Sequence, residues 1–116
     1  MEYTIGVHTV VETITYLKAA EKLFSAEERE EIVATVASDP ECGDVIQGTG
    51  GFRKLRVGRS GTGKRGGARV IYILRNEGFP VFLMAAYGKN EKANLSKKER
   101  NELAKIADSI FTKYSS

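Results

Sequence analysis

Between Phe52 and Tyr87 the chain reads as three extended runs in succession, and this succession constrains the fold more than any other feature. Phe52 to Val57 alternates, with Phe52, Lys54 and Arg56 on one face and Arg53, Leu55 and Val57 on the other. Ala68 to Arg75 is rich in β-branched residues, and Pro80 to Tyr87 forms a third run. The first link, Gly58 to Gly67, carries five glycines in ten residues and predicts a mobile turn. The second, Asn76 to Phe79, is a short hairpin loop. Three strands joined in this way predict an antiparallel meander.

The flanks supply helices. Tyr3, Ile5 and Val7 alternate and predict a first strand, which joins the edge of the meander. Thr13 to Phe24 suits a helix, with Ile14, Leu17 and Leu23 as inward positions. Ser25 and Glu28 form a capping box, in which each side chain bonds the other's backbone N–H. Ile32, Val33 and Val36 follow at helical spacing, and Asp39-Pro40 ends that helix. Ser96 and Glu99 form a second capping box, ahead of a stripe of Leu103, Ile106, Ala107, Ile110 and Tyr114. The order β-α-α-β-β-β-α predicts one α+β domain over residues 1–116. Its antiparallel sheet of about four strands is backed, on one face, by an N-terminal helical hairpin and a C-terminal helix.

Charge is segregated along this frame. Residues 1–47 hold ten acids and three bases, whereas residues 48–75 hold eight bases and no acid. A solvated surface usually mixes signs, so an acid-free stretch of this length predicts a polyanionic partner. No apolar run reaches 18 residues, and the N-terminus lacks the pattern of a secretion signal. One cysteine, Cys42, cannot form an internal disulfide. A cytoplasmic protein without membrane contact is expected.

Gly58-Arg59-Ser60-Gly61-Thr62-Gly63-Lys64 fits the spacing of a phosphate-binding loop. However, Arg65 stands where Ser or Thr would hold magnesium, and a strand follows where a helix is needed. The segment is instead read as a basic hairpin carrying Arg59, Lys64 and Arg65. One histidine, His8, and one cysteine give no metal-ligand pattern, so neither a metal nor another cofactor is expected. The constellation that remains is Lys54, Arg56, Arg69, Tyr87 and Lys89. Cleaving RNA without metal requires deprotonation of the 2′-OH, stabilisation of a phosphorane and protonation of the 5′-oxygen. Crowded cations lower one another's proton affinity, so a lysine among arginines can exchange a proton. Arginine forks suit phosphorane oxygens, and a tyrosine can orient sugar or base. The same residues would serve equally well as phosphate contacts in a protein that binds RNA without cutting it.

Several segments resemble the RelE/HigB-type toxins of bacterial toxin–antitoxin systems. They are Asp39 to Ile46, Gly48 to Arg56, Gly63 to Tyr72 and Tyr87 to Lys92. The resemblance implies a RelE/ParE-like, microbial-ribonuclease type of fold. It also implies a ribosome-dependent mRNA endoribonuclease held by a cognate antitoxin, which carries a helix-turn-helix DNA-binding region. The free toxin would be a monomer and the complex a hetero-oligomer. By this resemblance Lys54 and Arg56 match a basic pair on the second strand, Arg69 the arginine that supports the scissile phosphate, and Lys89 a further cation. Asn90 departs from the pattern where an arginine often follows, and Lys92 is the compensating candidate. Some members use a tyrosine in the last helix, where this chain has Tyr114, but Tyr87 is the preferred hydroxyl. Arg53, Arg59, Lys64, Arg65, Arg75 and Lys92 are expected to contact RNA or the ribosome. A gyrase-poisoning toxin of the same fold, without nuclease chemistry, is the competing reading.

Overall fold

The meander follows from a parity rule along its middle strand. In the computed structural model the backbone is described for residues 2–5, 8–59, 63–75, 79–88 and 95–115. Strands β4 (Phe52–Arg59), β5 (Gly63–Ile73) and β6 (Val81–Gly88) pair antiparallel in sequence order. Successive side chains of β5 point to opposite faces. Ala68, Val70 and Tyr72 enter one core, Ile71 and Ile73 another.

The first core is filled by the N-terminal helices α1 (Ile14–Leu23) and α2 (Ala26–Ser38), through Tyr16, Ala20, Ile32, Val33 and Val36. The second is filled by α3 (Lys97–Ser115), which packs Ala107 and Phe111 against Phe52, Ile71, Ile73 and Phe82. The three helices therefore lie on both faces, not on one as expected, because β5 is apolar at both parities in its C-terminal half.

The N-terminal run is a hairpin, not a single strand. β1 (Glu2–Ile5) pairs antiparallel with β2 (His8–Glu12), and β2 joins β6 in parallel. A further short strand, β3 (Asp44–Val45), pairs with β4. Among the described residues six strands form one mixed sheet in the order β1-β2-β6-β5-β4-β3. The glycine-rich link is partly extended, since β4 reaches Arg59 and β5 begins at Gly63; the residues between them lie outside those described. No helix among the described residues is long and apolar enough to cross a membrane.

Local signals explain the helix starts. Thr13 caps α1 by accepting the Tyr16 N–H, and its hydroxyl donates to the Leu83 carbonyl at 2.8 Å, which ties the helix to β6. Both capping boxes form as expected, at Ser25–Glu28 and Ser96–Glu99. The inward stripes hold in part, since Leu17 and Leu23 pack against the first core and Leu103, Ala107 and Ile110 belong to or pack against the second. Ile14 is 73% exposed and Ile106 43% exposed, while Tyr16 and Phe111 are buried.

The 39–51 connection is held by buried polar contacts. The Tyr72 hydroxyl donates to the Pro40 carbonyl at 2.6 Å and accepts the Gly43 N–H at 2.8 Å. A Cβ on Gly43 would stand 2.9 Å from the Tyr72 ring, so this approach requires glycine. Thr49, fully buried, donates to the Ile46 carbonyl and accepts from the Phe52 N–H.

Replacing Tyr72 by Phe orphans the buried Gly43 N–H and should cost about 1–3 kcal/mol in urea unfolding. Burial raises the Tyr72 and Tyr16 phenols well above their ordinary pKa of 10.0. A folded-state pKa above the unfolded one gives stability that is intact below the unfolded pKa and declines above it. Unfolding free energy should thus hold at neutral pH and fall as pH rises past about 10. The fall should be shallower in Tyr72→Phe, and an equal alkaline slope would contradict this account.

Candidate nucleic-acid interface

Pairing register brings four of the five expected site residues together. Arg56 of β4 lies opposite Arg69 of β5, and Arg69 lies opposite Tyr87 of β6. One pleat back, Lys54 lies opposite Ile71, which lies opposite Ala85. Directly opposed side chains in a sheet have Cβ atoms about 5 Å apart, and same-face neighbours along a strand are about 7 Å apart. Lys54, Arg56, Arg69 and Tyr87 thus share one face and one end of the sheet. That face is the one α3 covers. The helix packs over the Phe52, Ile73 and Phe82 end, and the cations stand beyond it.

Two arginines set directly across a strand pair repel each other. Among the described residues no carboxylate forms an ion pair with Lys54, Arg56 or Arg69, whereas Arg75 pairs with Asp108. Arg69 makes one long contact, Nη1 to the Ala68 carbonyl at 3.3 Å. The Tyr87 hydroxyl is buried without a hydrogen-bond partner. Burial raises its pKa above the ordinary phenol value, and the Arg69 charge opposes that shift. The phenol therefore keeps its proton at neutral pH and has a hydrogen bond to give. The row presents cationic forks and a donor, the complement of a phosphodiester.

The other expected contacts separate. Arg53 has the opposite parity, and its Nη1 donates to the Glu41 and Gly43 carbonyls at 3.1 and 2.8 Å. It belongs to the loop tether beside Tyr72 and stands away from the row. Arg75 lies just past the C-terminal end of β5, where α3 engages it: its guanidinium sits 4.8 Å from the Phe111 ring centre and 3.6 Å from Asp108. Lys89 and Lys92 lie outside the described residues, as do the side chains of Arg59, Lys64, Arg65 and Tyr114. His8 begins β2, on the strand that pairs with the far side of β6.

One feature has no signal in the sequence. A cleft of about 240 Å³ separates α2 from the end of β4 and is lined by residues of both, Arg56 included. Nothing in the alternation of β4 announces that β3 stops after two residues.

A family model described as the RelE toxin of the RelE/RelB toxin–antitoxin system matches residues 21–116. Among solved structures, a free-state double arginine-to-alanine mutant of the E. coli toxin RelE is similar in fold, with a TM-score of 0.53. The two are 22% identical over 79% of this chain and 88% of that one.

The parity of Arg53 separates its role from that of the row. Arg53→Ala should lower stability by about 1.5–3 kcal/mol, the worth of hydrogen bonds from a charged donor. It should leave RNA affinity at low salt within about twofold of the parent, since only the removal of a cation that touches phosphate reduces the salt slope, by about one. A reduced salt slope in a filter-binding titration would return Arg53 to the interface.

Proposed function

Since the chain belongs to the RelE toxin family of toxin–antitoxin systems, we propose that it is a ribosome-dependent mRNA endoribonuclease that acts in the cytoplasm without metal. The observation that carries this reading is the row Arg56–Arg69–Tyr87 with Lys54 beside it. Opposed cations without a carboxylate partner cost stability, and a bound phosphate turns that repulsion into attraction.

In this reading Arg69, central in the row, meets the scissile phosphate, and Arg56 shares the charge that develops on the phosphorane oxygens. Lys54, one pleat away, exchanges a proton with the 2′-OH or the 5′-oxygen. The buried Tyr87 hydroxyl donates to the phosphate or the sugar. The sheet holds all four rigidly, and this is the requirement for catalysis by positioning. The family match begins at residue 21 and so spans every residue of the row. Lys89 and Lys92 would extend the same charge, and Arg59, Lys64 and Arg65, on the glycine-rich hairpin, would contact the ribosome.

Arg69→Ala should reduce cleavage of translated mRNA by about 10²–10³-fold, the usual cost of removing one transition-state donor. It should also relieve growth arrest on expression. Cleavage at the parental rate would remove Arg69 from the site. Tyr87→Phe gives a sharper test, because its hydroxyl has no partner in the fold. The variant should unfold within about 0.5 kcal/mol of the parent while cleaving at least about tenfold more slowly. Supercoiling inhibition by the parent without mRNA cleavage would select the gyrase reading instead.

A further inference from the structure

β3 is two residues long, yet both of its flanks are tied to the core. The Gly43 N–H donates to the buried Tyr72 hydroxyl at 2.8 Å, and the Gly43 carbonyl accepts from Arg53 Nη1 at 2.8 Å. On the other flank the Ile46 N–H donates to the Phe52 carbonyl at 2.9 Å. A strand this short has little stability of its own, so these bonds fix where its two side chains point.

Register settles the direction. Asp44 lies opposite Lys54, and directly opposed residues of an antiparallel pair share a face. Ile46, two residues on, packs under α3 with Phe52, so this face is the one that carries the cationic row. Asp44 is exposed there, and among the described residues its carboxylate makes no ion pair. It stands one strand outside Lys54. Two strand spacings and one pleat repeat put it about 12 Å from Arg69 across the sheet.

A carboxylate at that place repels phosphate, and when ionised it is acceptor-only. A surface that served only to hold phosphates would gain nothing from it. The groups it suits are N–H donors on the edge of an unpaired base. The span from Arg69 is one that a nucleotide bridges between its phosphate and its base edge. Guanine sets two donors side by side, N1–H and the 2-amino group, which match the two carboxylate oxygens. Cytosine and adenine set an amino donor beside a ring acceptor, and uracil sets one donor between two carbonyls. Each of these three places a lone pair against the carboxylate.

We propose that Asp44 determines base preference: with a phosphate on Arg69, its carboxylate accepts hydrogen bonds from the Watson–Crick edge of a guanine beside the scissile bond. This rests on the reading of the row as an RNA-cleaving site. Asp44 acts on the choice of site, and the four residues of the row act on the phosphate and sugar.

The test maps cleavage of translated reporter mRNAs by the purified parent, Asp44→Asn and Asp44→Glu. Parental cuts should share guanine at one fixed position, and inosine there, which lacks the 2-amino group, should slow cutting by about tenfold. Asp44→Asn should cut the guanine and inosine reporters within about twofold of each other, and Asp44→Glu should restore part of the preference. Binding of RNA at low salt should not weaken in Asp44→Asn, because a charge that repels phosphate is gone. Should Asp44→Asn not fold, the response of the parent to inosine decides. A parent that cuts both reporters alike, a guanine preference kept in folded Asp44→Asn, or a loss of rate equal at every base would each overturn the role of Asp44 and leave the endonuclease reading standing. A parent that cuts no translated mRNA would overturn both.

Discussion

The fold depends on β5 being buried on both sides. Val70 and Tyr72 belong to the core under α1 and α2, and Ile71 and Ile73 to the core under α3. A one-residue slip in its pairing would exchange the two sets and carry Arg69 into the apolar core beneath the N-terminal helices. The register is therefore held by two hydrophobic cores at once, each worth several kcal/mol of apolar burial. The same register places Arg56, Arg69 and Tyr87 in line. Site geometry is a consequence of core packing here, and no dedicated contact is needed to align the cations.

That alignment has an energetic cost. Opposed arginines repel, and the buried Tyr87 hydroxyl forgoes a hydrogen bond. The charge repulsion is tolerable because Arg56 is exposed and Lys54 and Arg69 are partly exposed, so solvent screens the charges. A bound phosphodiester would supply the missing partner to each group. The sheet thus holds the unfavourable arrangement in advance, and binding requires no further ordering of it.

Local chemistry is legible in the sequence, and tertiary choices are not. Both capping boxes, the end of α2 before Pro40 and the meander are written in residues a few positions apart, and they form as expected. The shared face of Lys54 and Arg56 follows from strand parity alone. The opposition of Arg56 and Arg69 needs a register, which depends on how two cores fill. The side chosen by α3 depends on which parity of β5 remains uncovered after α1 and α2 dock. Its buried stripe keeps Leu103, Ala107 and Ile110 but takes Phe111 in place of Ile106, because both are apolar and only packing distinguishes them. β3 has no sequence signal because two residues carry no periodicity, and the hairpin of β1 and β2 is hidden because a break in one run looks like continued alternation.

The basic stretch shows why charge alone is a poor guide to a binding surface. Arg53 and Lys54 are adjacent, yet one anchors carbonyls of the 41–43 loop and the other stands near the cationic row. Arg69 and Arg75 belong to one acid-free stretch, yet Arg75 is drawn onto Phe111 and Asp108 of α3. Two questions decide the fate of each cation: which parity it occupies, and whether a carbonyl, ring or carboxylate of the fold reaches it first. Arg56 and Arg69 face each other and, among the described residues, pair with no carboxylate. A residue held in that condition by two packed cores is available to a partner outside the chain, and under the proposed function that partner is the phosphate backbone.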